Sequence, residues 1–202
     1  MKRGFVVGSV VTLLLTLGLA ISIPSAAEDI DSATPSLAGA EPVENAVAQS
    51  PAFYIGQHYG GGIIFWIDGS GQHGLIAAES DQGFNWWGDR YYLTTGATGT
   101  AVGTGRLNTK NIIAVQGRQY TYAALLCANY RGGGYADWFL PSKDELYLLY
   151  LQKSVVGGFV RGSYWSSSEF DHSLAWHKFF YNDQAVVSHK DRYDGVRAIR
   201  AF

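Results

Sequence analysis

Catalysis or metal binding in this chain of 202 residues would have to start from five histidines, one cysteine and a scatter of carboxylates. His58, His73, His172, His177 and His189 form no His-x-His or His-x-x-x-His pair, so their spacing gives no zinc site. If both were extended, His172 and His177 would point to opposite faces. Cys127 stands alone, which excludes an intramolecular disulfide framework and a Cys-rich metal site. It falls at helical spacing with Tyr120, Ala123 and Ala124 and is expected to pack as a small hydrophobe. Asp137, Asp144, Glu145, Glu169 and Asp171 have the type that glycoside hydrolysis needs, but that chemistry depends on a carboxylate separation only the fold can set. Glu145 has a structural alternative as the acid of a capping box opened by Ser142. Asp137 has another, bonding the backbone of a turn before Trp138. There is no Gly-x-Ser-x-Gly elbow, and the glycines between 96 and 105 lack the Lys-Ser or Lys-Thr of a phosphate loop. Nothing positive argues for an enzyme, and no cofactor or metal is implied.

Binding chemistry is better represented. Trp86, Trp87, Arg90, Tyr91 and Tyr92 crowd one stretch. Aromatic faces stack on sugars, and guanidinium forks match sulfate or carboxylate. A competing reading keeps the tryptophans in the core, because Trp is highly buried on average. Lys178, His189, Lys190 and Arg192 form a second set near the last hairpins, and Arg118 and Arg131 add cations in the middle. Arg197 and Arg200 interrupt an apolar terminal segment, where pairing with an internal acid is expected for at least one.

The elements that must position these residues follow from period and turn chemistry. Strands are expected at 62–67 and 73–78, joined by the turn Asp68-Gly69-Ser70-Gly71. A long loop over 80–106 contains the uncharged Gly/Thr/Ala/Val run from Thr94 to Gly105, expected to be irregular and surface-lying. Helices are expected from Asn108 or Thr109 to Val115, over 120–130, and from Ser142 to about Lys153 with Leu146, Leu149 and Tyr150 on the apolar side. Strands are expected again at 164–168, 174–181, 184–189 and 196–202. Ser166-Ser167-Ser168 reads as strand with small residues packed beneath a neighbour. The order is α+β, with helices in the middle and strands at both ends.

Composition sets the organisation. Met1-Lys2-Arg3-Gly4, an apolar run from Phe5 to Ile23 and Pro24-Ser25-Ala26-Ala27 read as a signal peptide over 1–27, cleaved after Ala27; the alternative is a retained anchor. Residues 28–52 carry Glu28, Asp29, Asp31, Glu41 and Glu44 with no Lys or Arg, and read as an acidic disordered linker. Residues 53–202 hold all six Trp, all 13 Tyr, 13 Lys+Arg and 12 Asp+Glu, a domain charge of +1. That balance excludes a strongly basic nucleic-acid binder. No second apolar run follows the first, so no membrane span is expected after cleavage.

A pattern of motifs runs through 53–202 in order: Gly61-Gly62-Ile63-Ile64-Phe65-Trp66-Ile67, His73-Gly74-Leu75-Ile76-Ala77-Ala78, Asp81-Gln82, Gly103-Thr104-Gly105 and Asn108-Thr109. It continues with Asp137-Trp138-Phe139-Leu140-Pro141-Ser142-Lys143-Asp144-Glu145-Leu146, Val156-Gly157-Gly158-Phe159, Tyr164-Trp165-Ser166-Ser167-Ser168-Glu169, Ala175-Trp176 and Val196-Arg197-Ala198-Ile199-Arg200-Ala201-Phe202. Together these resemble the Lcl C-terminal domain family, the carboxy-terminal domain of the Legionella collagen-like adhesin. The resemblance implies a C-type-lectin-like α+β fold with adjacent first and last strands, a secreted or surface location, sulfated glycosaminoglycans as ligands and a homo-trimer. The collagen-like stalk of that adhesin has no counterpart here. Tyr181-Asn182-Asp183 lies between two strand-like runs and is first a hairpin turn, so no calcium-dependent sugar site is expected.

The leading expectation is an exported, non-enzymatic binding and adhesion module for acidic or sulfated glycans. Arg90, Arg118, Arg131, Lys178, Lys190 and Arg192 would pair with anions, and Trp86, Trp87 and Tyr91 would stack. The alternative is a protein-binding module presenting the 83–106 loop to a surface protein.

Overall fold

The computed structural model describes residues 52–88 and 92–202. The segment expected to be a leader, the segment expected to be an acidic linker through residue 51, and Arg90 and Tyr91 lie outside the described residues. In chain order the elements begin with β1 (His58–Tyr59), β2 (Gly62–Ile67), β3 (Gly74–Ala77), β4 (Gly83–Asn85), α1 (Gly105–Gln116) and α2 (Ala123–Asn129). They continue with α3 (Lys143–Leu151), α4 (Lys153–Val156), β5 (Ser163–Glu169), β6 (Leu174–Phe179), β7 (Ala185–His189), β8 (Asp194–Val196) and β9 (Ile199–Ala201). The arrangement is α+β, as the sequence order requires.

The first sheet runs β1-β2-β3-β9 and is antiparallel throughout. Its apolar run is continuous because both faces are covered. Ile64 and Ile76 turn into one core with Trp87, Ile112, Trp138 and Trp165. Ile63, Phe65 and Leu75 turn into a second core with Leu146, Leu149 and Tyr164. Asp68 fixes the turn between β2 and β3, its carboxylate accepting from the backbone and hydroxyl of Ser70 at 3.0 and 2.5 Å. The domain's two ends meet on this sheet, with the Phe53 and Phe202 rings 4.7 Å apart.

The second sheet runs β4-β8-β5-β6-β7, with β5 and β8 parallel and the other pairs antiparallel. Asn182 and Asp183 do form the β6–β7 turn, where the Asn182 side chain accepts from Gln184 N at 3.2 Å. Ser166, Ser167 and Ser168 are fully buried in β5 and act as polar fasteners: Ser166 Oγ donates to Trp176 O at 2.8 Å and Ser168 Oγ to Gly99 O at 2.7 Å.

Three expectations are corrected. The terminal segment 196–202 is two strands in different sheets, β8 and β9. The chain crosses between them at Arg197, whose buried guanidinium bonds Asp81, Ala78 O, Gly157 O and Gly158 O. The first helix starts at Gly105 rather than 108 or 109, inside what composition marks as loop. Glycine is needed there because a Cβ would run into the Glu145 carboxylate and the Ser142 amide. The Thr94–Gly105 run is irregular but pinned, with Thr95 and Ala97 buried. Glu169 accepts from the Thr95 and Gly96 amides at 2.9 Å, and Glu145 from the Gly103 amide at 2.7 Å.

The capping box stands as expected: Ser142 Oγ accepts from Glu145 N at 3.3 Å, and Glu145 accepts from Ser142 N at 2.7 Å. Cys127 is buried in the first core, and burial pushes its thiol pKa up, which suits a packing role. Both Arg197 and Arg200 find internal acids, Asp81 and Asp137.

Candidate functional site

The buried side of α1 consists of Gly105, Asn108, Thr109, Ile112 and Gln116, a spacing of three to four that keeps one stripe against the core. Arg106, Lys110, Ile113 and Ala114 flank that stripe and line a groove of about 530 Å³. Its other wall comes from Arg118, from Ala128, Asn129 and Arg131 at the end of α2, and from the 136–139 segment. Trp138 and Phe139 give it an apolar floor.

Two guanidiniums in the groove are oriented without being neutralised. Arg131 donates to the carbonyls of Ala128 and Tyr130 at 2.9 and 2.7 Å, and Arg118 donates to Asn129 Oδ1 at 3.4 Å. Among the described residues, neither of them nor Lys110 pairs with a carboxylate. Arg106 lies 3.4 Å from Asp137 and 5.3 Å over the Phe139 ring. Asp137 is the one carboxylate among the lining residues, and Arg200 grips it from behind with two bonds of 2.8 and 3.1 Å. Burial raises the Asp137 carboxyl, but Arg200 and Arg106 outweigh it and hold the group below its ordinary value. The groove therefore presents an excess of positive charge over an apolar floor, suited to a ligand with anionic groups on a ring or chain.

The residues expected from sequence divide sharply. Arg118 and Arg131 come together here. Lys190 does not: its ammonium is 2% exposed, 2.6 Å from Glu169, and donates to the carbonyls of Leu93 and His172 while lying 4.6 Å over the Trp87 ring. Burial lowers its pKa against the pull of Glu169. Trp87 is fully buried, its indole donating to Ser166 O at 2.7 Å, so its role is packing. Lys178 is also buried, against Asp183 at 3.0 Å and over the Tyr147 and Tyr150 rings. Arg192 is partly exposed but tied to the buried Asp194 at 3.0 Å. Trp86 is half-buried, edge-on to Tyr193 at 5.2 Å. None of these five lines the groove.

Sequence reasoning missed Arg106 and Lys110. The signal was the i, i+4 spacing of 106 and 110, continued by Ile113 and Ala114, once the helix is begun at Gly105. Of the carboxylates singled out for hydrolysis, Glu145, Glu169 and Asp171 are held on backbone amides and Asp137 on arginines. His177 is buried 2.9 Å from Asp194. Among the described residues no group of three or more His, Cys, Asp or Glu could hold a metal ion, and no helix is long and apolar enough to cross a membrane. No family model matches the chain, and comparison with curated proteins finds no match.

Proposed function

We propose that this chain is an exported, non-enzymatic adhesion module of C-type-lectin-like fold that holds acidic or sulfated glycans in the groove between α1 and α2. The observation that carries the reading is the convergence of Arg106, Lys110, Arg118 and Arg131 over Trp138 and Phe139. The lectin-like assignment is supported by the meeting of the domain's ends on one sheet and by helices confined to the middle of the chain. Membership of the Lcl C-terminal domain family rests on the ordered motifs of 53–202.

The test is binding of residues 28–202 to a glycan array that includes heparin and other sulfated polymers, at low and at physiological salt. Binding to sulfated members should fall as salt screens the groove. Arg118→Ala and Arg131→Ala should each weaken it by about fivefold, the scale of one exposed charge contact. Salt-insensitive binding, or a blank array with a folded sample, would overturn the reading. A blank array would favour a protein partner for the 83–106 loop, whose fixing at Thr95, Gly96 and Gly103 already holds part of it in one shape.

A further inference from the structure

A second cleft, of about 450 Å³, lies on the other side of the Tyr130–Gly133 turn from the groove. Tyr130, Gly132 and Gly133 line the cleft, while Arg131 and Trp138 line the groove, so one thin wall serves both. The wall is rigid. The Trp138 indole donates to Gly132 O at 3.2 Å, and the Tyr130 and Trp138 rings meet edge-on at 5.0 Å. The β1–β2 turn packs on it so closely that a Cβ on Gly61 would stand 2.6 Å from Gly132 O. Arg200 ties the two cavities together, bonding Asp137 in the groove and, at 3.1 Å, the carbonyl of Gly60 in the cleft.

The cleft lacks the groove's excess of lining cations. No Lys or Arg lines it. Its charged rim is Glu79, well exposed and 2.9 Å from His58 Nδ1, with Tyr59 beside it. A carboxylate accepts from sugar hydroxyls and repels sulfate. Each cavity falls in the range of about 300–1,000 Å³ typical of small-molecule sites, more than a lone anion needs.

We infer that the ligand is an extended glycan lying across both cavities, its sulfated or carboxylated unit in the groove and an unsulfated, hydroxyl-presenting unit in the cleft. Glu79 is then a specificity-determining residue that selects partial over full sulfation. This inference rests on the glycan reading of the groove. The same close packing accounts for the glycines at the wall: a Cβ on Gly61 would meet the Gly132 and Gly133 backbone, and one on Gly133 would meet the Gly61 backbone.

The experiment measures affinities of residues 28–202 for a heparin disaccharide, a fully sulfated hexasaccharide and a partly desulfated hexasaccharide. Both hexasaccharides should bind at least about tenfold tighter than the disaccharide if a second unit is engaged. Glu79→Gln, which removes the exposed charge and keeps an acceptor for His58, should improve the fully sulfated hexasaccharide by about fivefold, the worth of one nearby like charge in water. It should leave the disaccharide unchanged. Equal affinities for the disaccharide and both hexasaccharides, or no effect of Glu79→Gln, with Arg118→Ala still weakening all three, would overturn the two-cavity inference alone. No binding of any of the three would overturn the glycan reading and this inference with it.

Discussion

Asp194 is 2% exposed and faces three partners: His177 at 2.9 Å, the Ser163 hydroxyl at 2.5 Å and the Arg192 guanidinium at 3.0 Å. Burial alone would raise its carboxyl, but these partners outweigh burial and hold it below the ordinary aspartate value. As pH falls, the unfolded chain therefore takes up this proton first. The stabilisation is whole above the unfolded value of about 3.9 and is lost as pH falls through the folded one. Asp137 acts in the same direction through Arg200 and Arg106. Asp194→Asn should cost about 3 kcal/mol at neutral pH, the scale of breaking a buried pair, and should flatten the acid limb of a urea-midpoint profile. An acid limb as steep as in the parent would remove Asp194 from that role. Buried charge is also where the sequence was least legible. Lys190 and Lys178 look like surface cations because lysine is rarely buried without a partner, and their neighbours include a carboxylate 21 positions upstream and rings from a separate helix. Arg197 and Arg200 were legible because an arginine inside an apolar segment already demands an acid.

At the scale of elements, α3 ties the loop ahead of α1 to the core. Glu145 closes the capping box with Ser142 and also accepts from Gly103 N, two residues before α1 begins and three before Arg106. Glu145→Ala removes both contacts. It should cost about 2–3 kcal/mol, from a lost cap and a buried amide left without its partner. Glu145→Gln keeps an acceptor in the box and should cost less than half as much, measured by urea denaturation. Equal losses would mean that charge, not hydrogen bonding, carries the contribution. β2, β3 and α3 were legible because short apolar runs bounded by turn residues and the Ser-Lys-Asp-Glu start are local signals. The start of α1 was not, since Gly103-Thr104-Gly105 reads as loop, and it is the Glu145 side chain and the Ser142 backbone, some 40 residues on, that explain why a glycine opens a helix. The groove went unseen for the same reason: beginning the helix at 108 or 109 leaves Arg106 in the loop and breaks its pairing with Lys110.

Over the whole molecule, charge is distributed unevenly along the chain. Residues 53–202 carry +1, but residues 28–202 carry 13 Lys+Arg and 17 Asp+Glu, a charge of -4. The difference is the five carboxylates of the 28–52 segment, tethered to a domain whose groove holds Arg106, Lys110, Arg118 and Arg131. Tethered anions raise the local concentration of negative charge around the domain and oppose the approach of an anionic polymer. This opposition is long-range, so it acts mainly on the association rate and fades with the Debye length, which falls from about 10 Å at 0.1 M salt to about 3 Å at 1 M. Comparing residues 28–202 with residues 53–202 on immobilised heparin separates the two effects. The shorter chain should associate about two- to fivefold faster at 0.05 M salt, with a similar dissociation rate, because the groove itself is unchanged. The two should converge as salt approaches 1 M. A difference that persists at high salt would require a direct contact rather than a field, and no difference at low salt would mean that the charge of the 28–52 segment does not reach the groove.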